Sequence, residues 1–136
     1  MIRSVSLGKE IVIDVENKVG ILASMSRILA DHGINIEGVA GYQAGNDARL
    51  MFVVTDTLRA KEALQKAGYN KIRESEVVVI DLENKPGALK GITAKMAVEN
   101  IDIRYIYGTT CSEGCPARMI VATANNEKAL IALKKK

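Results

Sequence analysis

Aromatic side chains are scarce in this 136-residue chain: no Trp, one Phe and four Tyr, 4% in all. Single-stranded nucleic acid is usually gripped by aromatic faces set among cations, so direct nucleic-acid binding has little to build on. Histidine is almost absent too, and the lone His32 is far in sequence from the two cysteines, Cys111 and Cys115. A structural metal site needs about four such ligands, so no metal is expected. A local disulfide within Cys-Ser-Glu-Gly-Cys-Pro stays open, but a cytoplasmic setting weighs against it, and we read both as ordinary loop thiols. Long apolar runs are also missing. Stretches such as Val77–Ile80 are far too short to span a bilayer, and Met1–Lys9 has no run of signal-peptide length. The expectation is a cytoplasmic protein with no membrane partner.

Charge is nearly balanced at +3, an excess that the tail Lys134, Lys135 and Lys136 supplies. A short terminal run of this kind reads as a solvated tail. No Ser/His/Asp or Cys/His arrangement and no phosphate-binding glycine loop is legible, so neither an enzyme nor a cofactor is expected. Glu16 and Glu83 are carboxylates at charged surface turns and read as solvated.

What the chain does have is a repeat. Ile13-Asp14-Val15-Glu16-Asn17-Lys18-Val19-Gly20-Ile21-Leu22 returns 67 residues later as Ile80-Asp81-Leu82-Glu83-Asn84-Lys85-Pro86-Gly87-Ala88-Leu89. Gly33-Ile34-Asn35-Ile36 then meets Asn100-Ile101-Asp102-Ile103, and Ala48-Arg49 meets Ala117-Arg118 at an offset two residues larger. The second copy carries its extra residues in the loop that holds the cysteines.

Each copy has the same pattern. Glu10–Glu16 alternates as a half-buried strand does, whereas Val77–Ile80 is apolar throughout, as in a strand covered on both faces. Asn17 and Asn84 are good helix caps, followed by a tight turn at Gly20 or Pro86-Gly87. Ile21, Leu22, Met25, Ile28 and Leu29 then fall on one helical face, as do Leu89, Ile92 and Met96. Hairpins are expected over Ile34–Thr55 and Ile101–Thr123, then second helices over Leu58–Ala67 and Glu127–Lys134. This order is the split βαβ, ferredoxin-like arrangement. We therefore expect an α+β fold of two tandem βαββαβ modules, residues 1–74 and 75–136, each an antiparallel sheet with its helices on one face. Tyr69–Glu74 can supply the first module's fourth strand, but the second module ends without one. Either Ile2–Leu7 completes the second module's sheet, in the same chain or a partner, or it extends the first strand.

The segments Glu-Asn-Lys-Val-Gly-Ile-Leu and Glu-Asn-Lys-Pro-Gly-Ala-Leu resemble the ACT-domain signature Asn-x-Pro-Gly-x-Leu. Gly33-Ile34-Asn35-Ile36-Glu37 resembles the segment that opens that family's second strand. The resemblance runs from Lys9 to Leu133 and implies a regulatory module that binds a small metabolite, usually an amino acid, between two modules. By position it nominates Asn17, Lys18, Gly20, Ile21 and Leu22 with Asn35 and Ile36 in the first copy. In the second it nominates Asn84, Lys85, Gly87, Ala88 and Leu89 with Asp102 and Ile103. Val19 stands where the family has proline, and Asp102 where the first copy has Asn35, so the two sites need not be equivalent.

The chemistry agrees with that nomination. A helix N-terminus offers unpaired N–H groups to a carboxylate, and glycine lets a ligand approach the backbone. The expected function is an amino-acid-binding regulator or sensor, not an enzyme. The alternative is a regulatory or assembly subunit of a metabolic enzyme, since the first motif also resembles the regulatory subunit of acetolactate synthase. A transcriptional regulator acting through protein contacts is a third possibility. Strands apolar on both phases, Leu50–Val54 and Met119–Ala122, point to a second covered sheet face and to a homodimer.

Overall fold

The structure, a computed structural model, describes residues 1–110 and 114–135. Cys111 and Lys136, and with them part of what the sequence suggests for the cysteine pair and the basic tail, lie outside the described residues. The elements are β1 (Ile2–Glu16), α1 (Ile21–Asp31), β2 (Ile36–Ala44), β3 (Asp47–Val54), α2 (Thr57–Lys66), β4 (Ile72–Leu82), α3 (Ala88–Val98), β5 (Ile103–Thr109), β6 (Ala117–Thr123) and α4 (Asn126–Lys134). Among the described residues no helix is long and apolar enough to cross a membrane.

By internal contact the chain divides into Lys9–Ser75, and Met1–Gly8 together with Glu76–Lys136. In the Lys9–Ser75 unit the strand order is β2-β3-β1-β4. Antiparallel registers set Ile13 opposite Leu50, and Val39 opposite Phe52. The Asp14 N–H donates to the Lys71 carbonyl at 3.0 Å, and Lys9 lies 3.7 Å from Glu74, so β4 runs antiparallel to β1. Residues of one phase, Ile11, Ile13, Leu50, Phe52 and Val54, pack with Met25 and Leu29 of α1 and Leu64 of α2. Both helices thus cover one face, as the two-residue period of the strands dictates.

The other unit has the order β1-β4-β6-β5 and the same plan. Its core joins Val78, Ile80, Leu82 and Val121 to Ile92 and Met96 of α3 and Leu133 of α4. The place beside β4 that the fold requires to be filled belongs to the start of the chain. Ile2 and Val5 pack on this core, the Met1 carbonyl accepts from the Glu83 N–H at 2.8 Å, and Ser4 Oγ donates to Asp81 at 3.1 Å. Strand β1 is continuous from Ile2 to Glu16.

Met51 and Val53 of β3, and Ile120 and Ala122 of β6, are also buried although they take no part in the helix-side cores. Strands β2 and β5 each pair with a single neighbour.

Cys115 is disulfide-bonded. This corrects its assignment as a loop thiol, which rested on compartment chemistry rather than on geometry.

Deleting residues 1–8 removes a strand, two core side chains and the partner of the Glu83 amide. Segment-resolved hydrogen exchange should then show β6 and α3 losing protection while β3 keeps most of its own; an unchanged melting curve and exchange pattern would contradict this.

Candidate functional site

The nominated loops sit where β1 and β4 give way to α1 and α3. In both copies the helix N-cap is a glycine in the left-handed region, Gly20 at φ 91° and Gly87 at φ 87°, and neither helix start has a side-chain cap. Side chains with a Cβ adopt that conformation only with strain, which is what Gly provides here. Expecting Asn17 and Asn84 to cap these helices is therefore wrong. They lie three residues too early, and the Asn17 backbone N–H instead donates to the Asn46 carbonyl of the β2–β3 turn at 2.9 Å. Both asparagine side chains are exposed. The second helix of each copy behaves otherwise: Asp56 caps α2 through the Arg59 N–H, and Asn125 caps α4 through the Lys128 N–H. Backbone bonds reach Ile21 from Lys18 and Ala88 from Lys85. The next amides, those of Leu22 and Ala23 and of Leu89 and Lys90, are the ones a side-chain cap ordinarily serves.

The lysines of the loops are tied to glutamates two residues upstream, Lys18 to Glu16 at 3.7 Å and Lys85 to Glu83 at 3.1 Å. These carboxylates are thus ion-paired at the surface rather than merely solvated. Lys85 holds the Glu83 carboxyl below its usual range. Such exposed pairs contribute little to stability and orient the lysine more than they hold it.

Beneath each loop, the strand end is locked by a bidentate pair that recurs through the duplication. Arg49 Nε and Nη2 donate to Asp14 at 2.7 and 3.1 Å, and Arg118 donates to Asp81 at 2.8 and 3.1 Å. These arginine hydrogen bonds lower both aspartate pKa values, and at Asp81 the Ser4 hydroxyl adds to the effect. The fork geometry fixes the register of β1 on β3 and of β4 on β6 just where the loops depart.

Asn35 and Asp102 lie elsewhere. Each immediately precedes or opens the second strand's approach, and its carbonyl accepts from the residue after the third strand, Thr55 or Ala124, at 3.1 and 3.0 Å. Their side chains are exposed, as is Leu22, whereas Ile21, Ile36 and Ile103 are half-buried and Ala88 is buried. Within one unit the loop and the second-strand start lie at opposite ends of an 11-residue helix, about 16 Å at 1.5 Å per residue. One unit alone does not bring its two nominated sets together. In the Lys9–Ser75 unit, Lys18 and Ile21 line a cleft of about 430 Å³ with Asp14, Asp47, Tyr69 and Lys71. The part played by Tyr69 and Lys71 is not legible from residue order, because they arrive from the far end of the module.

With this geometry in view, comparison with known proteins is informative. The ACT domain profile matches residues 9–68. An ACT domain is found there. That stretch contains the first loop, Asn35 and Ile36. A crystal structure of a protein from Bacteroides thetaiotaomicron is similar over 96% of this chain and 88% of its own, at 26% identity and a TM-score of 0.86. The ligand-free regulatory subunit of aspartate kinase from Thermus thermophilus is similar over 97% of this chain and 95% of its own, at 21% identity and a TM-score of 0.69. E. coli aspartokinase III, crystallised with aspartate and ADP, is similar over 97% of this chain and 32% of its own, at 19% identity and a TM-score of 0.58. At these identities the last two show the fold alone. No curated protein sequence matches the chain.

The Asp81–Arg118 lock makes stability depend on pH. Its folded-state pKa lies below the unfolded value of 3.8, so its contribution is present above that value and fades as pH falls through the folded one. Asp81→Asn should cost about 1 kcal/mol at pH 7, after allowance for partial exposure, and less at a pH well below 3.8, where the carboxyl is protonated in both states. Denaturant melts at the two pH values check this; an equal loss at both would contradict it.

Proposed function

We propose that this protein is an amino-acid-binding regulator, not an enzyme, built from two ACT-type modules. A single observation carries the proposal. The two helices that start at the duplicated loops have no side-chain cap, while the other two helices are capped by Asp56 and Asn125. An uncapped N-terminus carries unsatisfied N–H groups and a partial positive charge, and an α-carboxylate satisfies both. Asn17 and Asn84 are exposed and released from capping, and each offers an acceptor for an ammonium group and donors for a carboxylate. Gly20 leaves the backbone open to approach, whereas at Gly87 the Met1 side chain stands 3.8 Å from where a Cβ would lie.

The other half of the site would come from the second-strand start of another module, Asn35 and Ile36 or Asp102 and Ile103. Since one unit holds these too far from its own loop, binding would require two modules to meet. Such a ligand biases the arrangement that closes on it, by the difference of its affinities for the closed and open forms, and a partner protein would read that change. Asp102 makes its site more favourable to an ammonium than to an anion, so unequal affinities are expected at the two sites.

A homodimer is part of this proposal. Strands β2 and β5 are edges, and β2 exposes Val39 and Tyr42, each 51% accessible. An edge with apolar side chains is a template for pairing with a second chain. The same surfaces would serve the second function considered, a constitutive subunit of a metabolic enzyme.

A thermal-shift screen against the twenty amino acids separates the two. A ligand at about a hundred times its dissociation constant adds roughly 2.7 kcal/mol, a shift of several degrees. We expect one amino acid or a small group to act selectively, with the shift reduced in Asn17→Ala or Asn84→Ala. No shift at millimolar concentrations would overturn the sensor in favour of the assembly subunit.

A further inference from the structure

The two copies differ in the space between the first helix and the last strand of each unit. In the Lys9–Ser75 unit, Tyr69 and Ile72 pack on the core from the last strand, and the Tyr69 hydroxyl meets Ser24 Oγ of α1 at 3.2 Å. In the other unit Ile2 and Val5, with the same spacing, pack on the core. The residue 67 positions after Ser24 is Gly91. Here the space is an open cleft of about 560 Å³.

Gly91 lies inside α3, where glycine weakens a helix relative to alanine. No close packing calls for it: a Cβ built on Gly91 meets nothing within 4 Å. What its missing side chain provides is room. The floor of the cleft is apolar, formed by Val5, Ile92 and Leu133, the last two almost wholly buried. The rim is cationic, with Arg3, Lys95 and Lys134, and no acidic residue lines the cleft. Lys95 is engaged with the Lys135 carbonyl, and Lys135 pairs with Glu99 at 3.5 Å. Among the described residues Arg3 and Lys134 have no ion-pair partner.

We propose that this cleft is a second ligand site, specific to the copy formed by Met1–Gly8 and Glu76–Lys136, and that it takes an amphipathic anion: an aliphatic chain ending in a carboxylate. The volume is that of an ordinary small-molecule site. The chain lies on Val5, Ile92 and Leu133, and the carboxylate meets Arg3 and Lys134. The site shares only Ala88 with the amino-acid loops and does not depend on their function.

Octanoate, below its micellar range, is the probe, titrated into the full chain by calorimetry and by amide NMR. Octanol and inorganic phosphate supply the chain and the charge separately. Saturable octanoate binding is expected, at least tenfold tighter than either comparator, with shifts at Gly91, Ile92 and residues 2–5. The double substitution Ile2→Tyr with Gly91→Ser rebuilds the pair of the first copy and should weaken binding at least tenfold. Arg3→Glu with Lys134→Glu, a surface change that leaves the core intact, should weaken octanoate at least tenfold and octanol by less than twofold. No octanoate binding, octanol or phosphate binding as tightly as octanoate, or undiminished binding by either double variant would overturn the proposal.

Discussion

Both first helices start from a backbone angle that only glycine takes without strain. At Gly20 and Gly87 the chain leaves its strand and enters the helix through the left-handed region, so the residue that would normally carry the capping side chain carries none. Everything at the candidate site follows from this constraint. The helix amides are left without a side-chain partner, and the asparagine three residues earlier is free of the capping task. The Asp14–Arg49 and Asp81–Arg118 forks hold the preceding strand ends in register, so that the junction is presented from a fixed frame. Substituting either glycine would force the loop to find another path and would take the amides with it.

Duplication has kept this junction and altered its surroundings. The forks, the lysine–glutamate pairs and the glycine starts recur in both copies. The space behind the first helix differs: Tyr69 and Ser24 meet across it in one copy, whereas Ile2 and Gly91 line an open cleft in the other. The asparagine at the start of the first copy's second strand becomes Asp102 in the second. Two units with one backbone plan thus present different side chains at corresponding places.

The fold was largely legible because the repeat doubled every signal. Two-residue alternation in Ile11, Ile13 and Val15 and helical spacing of Met25 and Leu29 identify the elements, and the second copy repeats the helical spacing with Ile92 and Met96. Cap geometry was not legible. An asparagine before an apolar helical run is ordinarily the cap, and nothing in the order of residues tells that the helix begins at the glycine instead. The place of Ile2–Leu7 was undecided because one continuous strand satisfies both alternatives: its first part joins one unit and its later part the other. Tyr69 escaped notice as a neighbour of the loop because proximity there is created by the return of the fourth strand, a contact between residues some fifty positions apart. The bonded state of Cys115 is not legible in the sequence, because residue spacing alone does not decide it.

The central claim is that the bare amides at the two glycine-started helices receive a carboxylate. Its most direct test is to titrate the amino acid selected by the ligand screen into isotope-labelled protein and follow the backbone amides. The account predicts the largest shifts at Leu22 and Ala23, at Leu89 and Lys90, or at both pairs, with little change at the capped starts of α2 and α4. Saturable binding whose shifts leave all four of those amides unmoved would contradict it.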